Sequence, residues 1–345
     1  MRDNFMNRRQ FVRTSSVATA AAMFSGRAIA TAFRLPRMAK PNQSNTLKRI
    51  AFGSCNRTHK DQTFWRTITK TAPDLWISLG DNIYADDLNI QARRLKYENL
   101  RLNENYASFA AATPIIGTWD DHDYASNNQG GEFIDKVASK DLFLDFFDLA
   151  TPDFLDRSGV YQSYVFGTPG QRTKVILLDC RFNMDRSRTA PQILGQDQWQ
   201  WLESELKTGD FELLLLGSSI SLTANSVGFG IEGWSSFTEE RLRLYGALNA
   251  LSCPIIVISG DRHQSDISRI ELEGGSHVYE FMSSGLTHSL PIPIPNNARI
   301  SQLIGDRNFG LIEIDWNATG PSVLFQTRAP HSGLILDELR LPQRR

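Results

Sequence analysis

Four stretches of this chain carry an apolar run into side chains that can hold a metal or move a proton. They are RIAFGSCN (Arg49–Asn56), LWISLGDNIY (Leu75–Tyr84), PIIGTWDDHDY (Pro114–Tyr124) and PIIVISGDRH (Pro254–His263). Short apolar runs bounded by turn signals read as buried strands. They lead into Cys55, into Asp81 and Tyr84, into Asp120, Asp121, His122 and Asp123, and into Asp261 and His263. Carboxylates and an imidazole have no place in an apolar core without solvent or a cation, because unpaired buried charge is costly. One such stretch reads as a polar loop after a strand; four with the same grammar do not. Parallel strands gather sites just beyond their carboxyl ends. Cys55, Asp81, Tyr84, Asp121, His122, Asp261 and His263 are therefore expected along one edge, as a metal centre.

Two neighbouring metal ions need a bridging carboxylate, terminal ligands for each ion and a proton donor for a leaving group. Tyr84 lies three residues after Asp81, so a tight turn points both at one ion. Phenolate and thiolate are unusual ligands and favour a hard, highly charged metal that lowers their pKa values. His122 sits where an imidazole would reach substrate. Asp261 and His263 alternate, so both face one cleft only if the strand has already broken, and Gly260 supplies the break. Cys180 and Cys253 lie in or beside apolar β-runs and read as buried thiols. No GxSxG elbow is present, which argues against a serine nucleophile.

The elements that must position these residues alternate early and turn to strands late. Strands are predicted at Leu47–Cys55, Leu75–Leu79, Val160–Gly167, Lys174–Arg181 and Phe211–Ser219. Beyond the GDRH stretch they follow at Ile267–Glu273, His277–Ser283, Phe309–Asp315 and Ser322–Arg328. Helical spacing appears over Asp61–Ala72, Leu95–Ala112, Lys140–Ala150, Gly195–Lys207 and Glu239–Leu251, the last with Leu242, Tyr245 and Leu248 inward. Such an order predicts sheets covered by helices in layers. The proline-rich segment Leu286–Asn308 is long for a connection, and reads equally as a rim or lid and as a surface excursion.

Among 345 residues, 41% are hydrophobic and 22% charged, as in ordinary globular proteins, and a net charge of −1 gives no nucleic-acid footprint. The amino terminus stands apart. Asn7-Arg8-Arg9-Gln10-Phe11-Val12-Arg13 precedes an alanine-rich run, Val17–Ile29, and Ala28-Ile29-Ala30 supplies a small-x-small cleavage pattern. Residues 1–30 are expected to be a signal peptide similar to twin-arginine leaders. They would take the folded protein through that export machinery to the periplasm or beyond. Residues 31–46 are expected to form an unpacked linker, and 47–345 the functional domain. No later stretch approaches the roughly eighteen apolar residues of a membrane span.

At the residues above, the chain resembles the alkaline phosphatase D (PhoD-like) branch of the calcineurin-like metallophosphatases. FGSCN, PDLWISLGDNIYADD, TWDDHDY, YQSYVFG, VILLDCR, LGQDQWQWLESEL, WSSFTEERLRLY and ISGDRHQSDI occur in the family's order, over about residues 49–285. The resemblance implies a four-layer α/β/β/α sandwich with two mixed sheets, and hydrolysis of small phosphate esters, mono- or diesters, by metal-activated water. It implies Cys55, Asp81, Tyr84 and His263 as ligands of ferric iron, with Asp81, Asp121 and Asp261 on calcium and other divalent metals as alternatives. His122 matches the histidine that assists the leaving group. Alignment favours Asp121 over Asp120 at the metal. Arg181 and Arg262 are candidates for substrate phosphate, since arginine matches its geometry. Ala125-Ser126-Asn127-Asn128 keeps an asparagine that many relatives have and lacks the following aspartate. Two other functions stay in view: a phospholipase-like diesterase with an apolar mouth from Ile292, Ile294, Ile300 and Leu303, and a binding protein that has lost its chemistry.

Overall fold

A computed structural model of the chain describes residues 35–86, 88–225 and 232–342. The expected leader, and the linker as far as residue 34, lie outside the described residues. In chain order the first strands are β1 (Arg49–Gly53), β2 (Leu75–Leu79), β3 (Ile115–Thr118), β4 (Gln162–Phe166), β5 (Thr173–Leu177) and β6 (Leu213–Ser218). The later ones are β7 (Ile255–Ser259), β8 (Ser265–Glu271), β9 (His277–Ser283), β10 (Phe309–Asn317), β11 (Gly320–Arg328) and β12 (Ile335–Arg340). They form two mixed six-stranded sheets, ordered β12-β11-β10-β1-β2-β3 and β4-β5-β6-β7-β9-β8. β1, β2 and β3 pair parallel, as do β5, β6, β7 and β9.

Alternation along each strand divides the core into three clusters. Ile50 and Phe52 of β1, Ile77 of β2, Leu215 of β6 and Ile258 of β7 meet between the sheets. There Phe281 packs edge-on against Phe52 at 5.0 Å and tilted against Phe325 at 4.7 Å. Ala51 and Trp76 face the other way, under the helices Phe64–Lys70, Ile90–Leu102, Glu104–Ala112 and Lys136–Phe146. Leu214, Leu216 and Val257 lie under Gly195–Lys207 and Thr238–Asn249. The central strands are therefore covered on both faces, which is why they read as continuous apolar runs. Three interfaces make four layers, α/β/β/α.

Several local expectations are corrected. One helix over Leu95–Ala112 is two, because Asn103 ends the first and caps the second by accepting from Asn105 N and Tyr106 N. That break turns Leu95 and Leu102 outward, 57% and 40% exposed. In the Thr238–Asn249 helix Leu244 is buried and Leu242 exposed. β12 was not expected, since an edge strand with the pattern ILDELR has little apolar signal. Residues 35–46 are packed rather than loose. Met38 is buried, Ala39 N donates to Ala110 O, Gly167 N donates to Gln43 O, and the Arg101 guanidinium donates to Pro36 O. The Leu286–Asn308 segment runs against β8 through Ser265↔Ile304 and Ser268↔Arg299 bridges, with Ile294 buried. Among the described residues no helix is long and apolar enough to cross a membrane.

Candidate metal centre

The carboxyl ends of β1, β2 and β3 in one sheet, and of β5 and β7 in the other, open on a common cleft. Two glycines let the chain enter it. Gly80 has φ +95°, and a Cβ there would overlap the Asp120 backbone and Cβ. At Gly260 a Cβ would lie 2.5 Å from Ser54 Oγ and 3.0 Å from Leu79 O, so this position keeps the two sheets close. The turns that follow are strained. Cys55, Asp81, Asp261 and His263 have φ of 65°, 48°, 72° and 54°, four of the seven non-glycine residues in the left-handed region among those described. Such backbone costs about 1–3 kcal/mol per residue and persists where surrounding structure imposes it, commonly at functional sites. It also resolves the alternation of Asp261 and His263, which have left strand geometry when they face the cleft.

The donors fall into overlapping groups. Cys55, Asp81 and His263 form one, Asp81, Asp121 and His122 a second, and Asp120, Asp121 and Asp261 a third, each with ligand atoms within 4.8 Å of one another. Asp81 links the first two and Asp121 the last two. The Tyr84 hydroxyl lies 2.9 Å from Asp81 Oδ2 and 3.2 Å from His263 Nε2, and Cys55 Sγ lies 3.4 Å from Asp81 Oδ2. Every residue expected at the metal is thus in the cleft. On the question of Asp120 or Asp121, Asp120 Oδ1 takes Arg181 Nε at 2.6 Å, while Asp121 accepts from the His122 and Asn128 amides and joins two donor groups.

Electrostatically, Arg181 and Arg57 do not offset the carboxylates that converge in the cleft. Burial, and then the charges of Asp121 and Asp120, push Asp81 well above the usual carboxylate range. Burial raises Asp120 as well, against the pull of Arg181. Burial acts to raise Asp121 too, yet Arg181 and His122 hold it below its ordinary value. Burial followed by Asp81 raises the Cys55 thiol and the Tyr84 phenol. Burial and then the Arg57 charge lower His263 to about 4, which leaves a neutral imidazole. Asp81 Oδ1 and Asp120 Oδ2 are buried with no hydrogen-bond partner. Converging carboxylates, a thiol, a phenol and a neutral imidazole, with orphaned oxygens among them, fit a multivalent cation, which would reverse each raised pKa.

The two arginines expected to bind phosphate are placed otherwise. Arg181 is fully buried, and its guanidinium meets Asp120, Asp121 at 4.0 Å and Glu232 at 2.5 Å. Arg262 is 3% exposed, and the carboxylates acting on it most strongly are Asp266 and Glu280. Arg181 is drawn in as a counter-charge to carboxylates, whereas the Arg262 guanidinium is buried with no hydrogen-bond partner on its nitrogens. The more accessible cations are Arg57, 5.0 Å from the Tyr84 ring centre, and Arg186, which pairs with Glu232. Arg186, Arg188, Asn128, Glu232 and Phe237 line a cavity of about 550 Å³, and Asn128 N also donates to Asp121 Oδ2.

Asp86 and His288 were not anticipated. Both Asp86 oxygens meet His122 Nδ1, at 2.7 and 2.8 Å, and Asp86 Oδ1 also accepts from Asn127 N at 3.0 Å. The asparagine pair therefore acts through its backbone, Asn127 on Asp86 and Asn128 on Asp121. Asp86 was visible in YADD, but no local spacing ties it to His122. His288 lies in the proline-rich segment, where nothing local marks it.

Residues 50–302 match the family model of PhoD-like phosphatases. The chain belongs to the PhoD-like phosphatase family. This PhoD-like chain is 23% identical over 285 residues to alkaline phosphatase D of Bacillus subtilis (strain 168), which covers 65% of the chain and 47% of that protein. It spans about half the length of that relative. Its fold is similar to the solved structure of PhoD, with TM-score 0.66 and 16% identity over 89% of this chain and 74% of that one. It is also similar to purple acid phosphatase PPD1 from yellow lupin (Lupinus luteus) seeds, with TM-score 0.60 and 14% identity over 88% and 55%. These likenesses bear on the fold.

Proposed function

We propose that this PhoD-like chain is an exported, metal-dependent hydrolase of phosphate esters. The observation that carries the reading is the set of three donor groups linked through Asp81 and Asp121, with His122 in the middle one and held from behind by Asp86. Bound metal would polarise phosphate oxygens, offset developing negative charge and lower the pKa of a water. Cys55, Asp81, Tyr84 and His263 would hold one ion, and Asp81, Asp121 and Asp261 its neighbour. The chain's own chemistry is proton delivery. With Nδ1 turned onto the Asp86 carboxylate, Nε2 is the nitrogen of His122 free to face substrate. As imidazolium it gives that proton to the leaving alkoxide, and Asp86 stabilises the charged ring before transfer. Arg57 and Arg186 stand where they can meet non-bridging oxygens or an anionic leaving group.

A phospholipase-like diesterase would want an apolar mouth; Ile292 and Ile300 are exposed and Ile294 packs inside, while the separate cavity wall carries Arg186, Arg188 and Asn128. The test is phosphate or alcohol release from a panel of mono- and diesters, with metal analysis of the same preparation. Metal-loaded, folded protein that hydrolyses no member of the panel would refute the reading. Ferric iron with calcium is the proposed metal pair, supported by the phenol and thiol in one donor set. Iron bound by phenolate absorbs visible light through ligand-to-metal charge transfer, so Tyr84→Phe should bleach or shift the colour. A colourless active enzyme holding only zinc would defeat that assignment. Export through Arg8 and Arg9 is tested by replacing both with lysine. Protein should then accumulate folded in the cytoplasm, and unchanged secretion would defeat the leader assignment.

A further inference from the structure

We propose that His288 is a fifth protein ligand of the ion held by Cys55, Asp81, Tyr84 and His263. The proposal rests on the reading of this cleft as a metal centre and extends its ligand set to a residue of the proline-rich segment. Three donor atoms form a nearly equilateral triangle: Tyr84 Oη to His263 Nε2 is 3.2 Å, Tyr84 Oη to His288 Nε2 is 3.2 Å, and His263 Nε2 to His288 Nε2 is 3.0 Å. Adjacent ligands of an octahedral ion at about 2.1 Å are about 3.0 Å apart, whereas tetrahedral ligands at that distance are about 3.4 Å apart. The triangle therefore has the edge of an octahedral face.

While Asp81 takes the Tyr84 proton, hydrogen bonds alone do not satisfy it. The Tyr84 hydroxyl has one proton, and Asp81 Oδ2 at 2.9 Å is its acceptor. If both neutral imidazoles donate to the Tyr84 oxygen, two N–H groups oppose each other across 3.0 Å. If one imidazole donates to the other, the accepting ring meets the Tyr84 oxygen lone pair to lone pair. One edge is repulsive in either arrangement. A cation at the centre removes the conflict by taking all three lone pairs.

The rest of His288 is built for that role. Thr287 Oγ1 donates to Cys55 O at 2.9 Å and accepts from Arg57 N at 2.8 Å, so toward His288 Nδ1, 3.4 Å away, it can only accept. That assigns the proton to Nδ1 and leaves Nε2 a bare donor, the usual way a neighbouring group orients a ligating histidine. Backbone bonds clamp the segment on both sides, Leu286 N to Ser54 O at 3.3 Å and Leu290 N to His263 O at 2.9 Å. His288 is thus tied to the Cys55 turn and to the His263 turn at once.

The experiment uses the full chain stripped of metal and titrated with cobalt(II), whose absorption and hyperfine-shifted imidazole N–H resonances report ligands independently of turnover. His288→Ala should show one shifted imidazole resonance fewer than the unmodified chain, and hold cobalt about a hundredfold less tightly or worse. His288→Asn should bind with intermediate affinity and unchanged thermal unfolding, which separates ligand loss from misfolding. Unaltered resonances and affinity in His288→Ala, with only KM raised, would overturn the proposal and assign His288 to substrate phosphate. An unmodified chain that takes up no cobalt and shows no thiolate band would overturn the metal-centre reading itself, and this proposal with it.

Discussion

At the residue scale the proposed reaction divides proton delivery, given to His122 with Asp86 behind it, from metal binding. His122 sits within one donor group yet faces Asp86 with Nδ1, and Asp86 belongs to none of the donor groups. His122→Ala should therefore keep its metal and lose turnover by about a hundredfold or more, the range for a lost general acid. Asp86 is a positioning residue. Asp86→Asn keeps a hydrogen-bond acceptor but removes the charge that supports imidazolium, so kcat should fall about tenfold or more while KM and metal content hold. The loss should deepen as the leaving alcohol becomes more basic. A fall uniform across leaving groups would assign Asp86 to loop structure alone. Asp81→Ala is the contrast, because Asp81 joins two donor groups and its loss should release metal and activity together.

At the element scale the strand ends govern the site. Gly80 combines φ +95° with direct contact on the Asp120 backbone, so Gly80→Ala strains the turn and displaces the Asp120 strand end together. Unfolding free energy should drop by about 2–3 kcal/mol, and metal affinity with it, read by denaturant titration and metal analysis. The same turns make stability depend on pH. Burial, opposed by hydrogen bonds from Asn82, raises the Asp123 carboxyl from 3.8 to about 7, and Asp81 and Asp120 move in the same direction. A carboxyl whose pKa is higher folded than unfolded binds more protons in the folded state. Stability therefore falls as pH rises from the unfolded value near 4 through the folded value. Above about 6.5, where the lowered His263 no longer opposes this trend, protein freed of metal by a chelator should melt at higher temperature at about pH 7 than at about pH 8.5, and metal should flatten that slope. A rising melting temperature over the same interval would contradict the charge arrangement.

At the scale of the whole molecule, the short stretch before β1 belongs to the body. Met38 fills the helix-side core, and Arg101, 5% exposed, depends on Pro36 O and Phe146 O for its hydrogen bonds. A chain begun at residue 31 should melt like the full chain. One begun at residue 47 leaves Arg101 partly unsatisfied and Met38 missing from its pocket, at a cost of about 2–4 kcal/mol. Differential scanning calorimetry should register a loss of several degrees. Equal melting temperatures would mean that residues 35–46 rest on the surface without supporting it.

The sequence by itself determined the strand ends and what each one carries. Runs such as LWISL and IIVIS are covered on both faces, so their apolar continuity and abrupt polar ending survive any arrangement of the sheets. That is why Cys55, Asp81, Tyr84, Asp121, His122, Asp261 and His263 were legible, and why Gly195–Lys207, with its strong amphipathic spacing, has the predicted bounds. Four layers were legible through the motif order, whereas the pairing order of the strands was not. Tertiary structure alone decided what lies across the cleft. Arg181 looked free to hold phosphate, but the second sheet delivers it to Asp120 and Glu232 from the first strand ends and a distant loop. Asp86 became the partner of His122 because the β2 and β3 turns converge, a contact spanning 36 residues. His288 is farther still, 204 residues from Tyr84, in a segment whose local pattern shows only prolines. Local sequence encodes burial and turn chemistry, which act within a few residues. Charge pairing and the convergence of donor atoms act across space, and the packed sheets settle them.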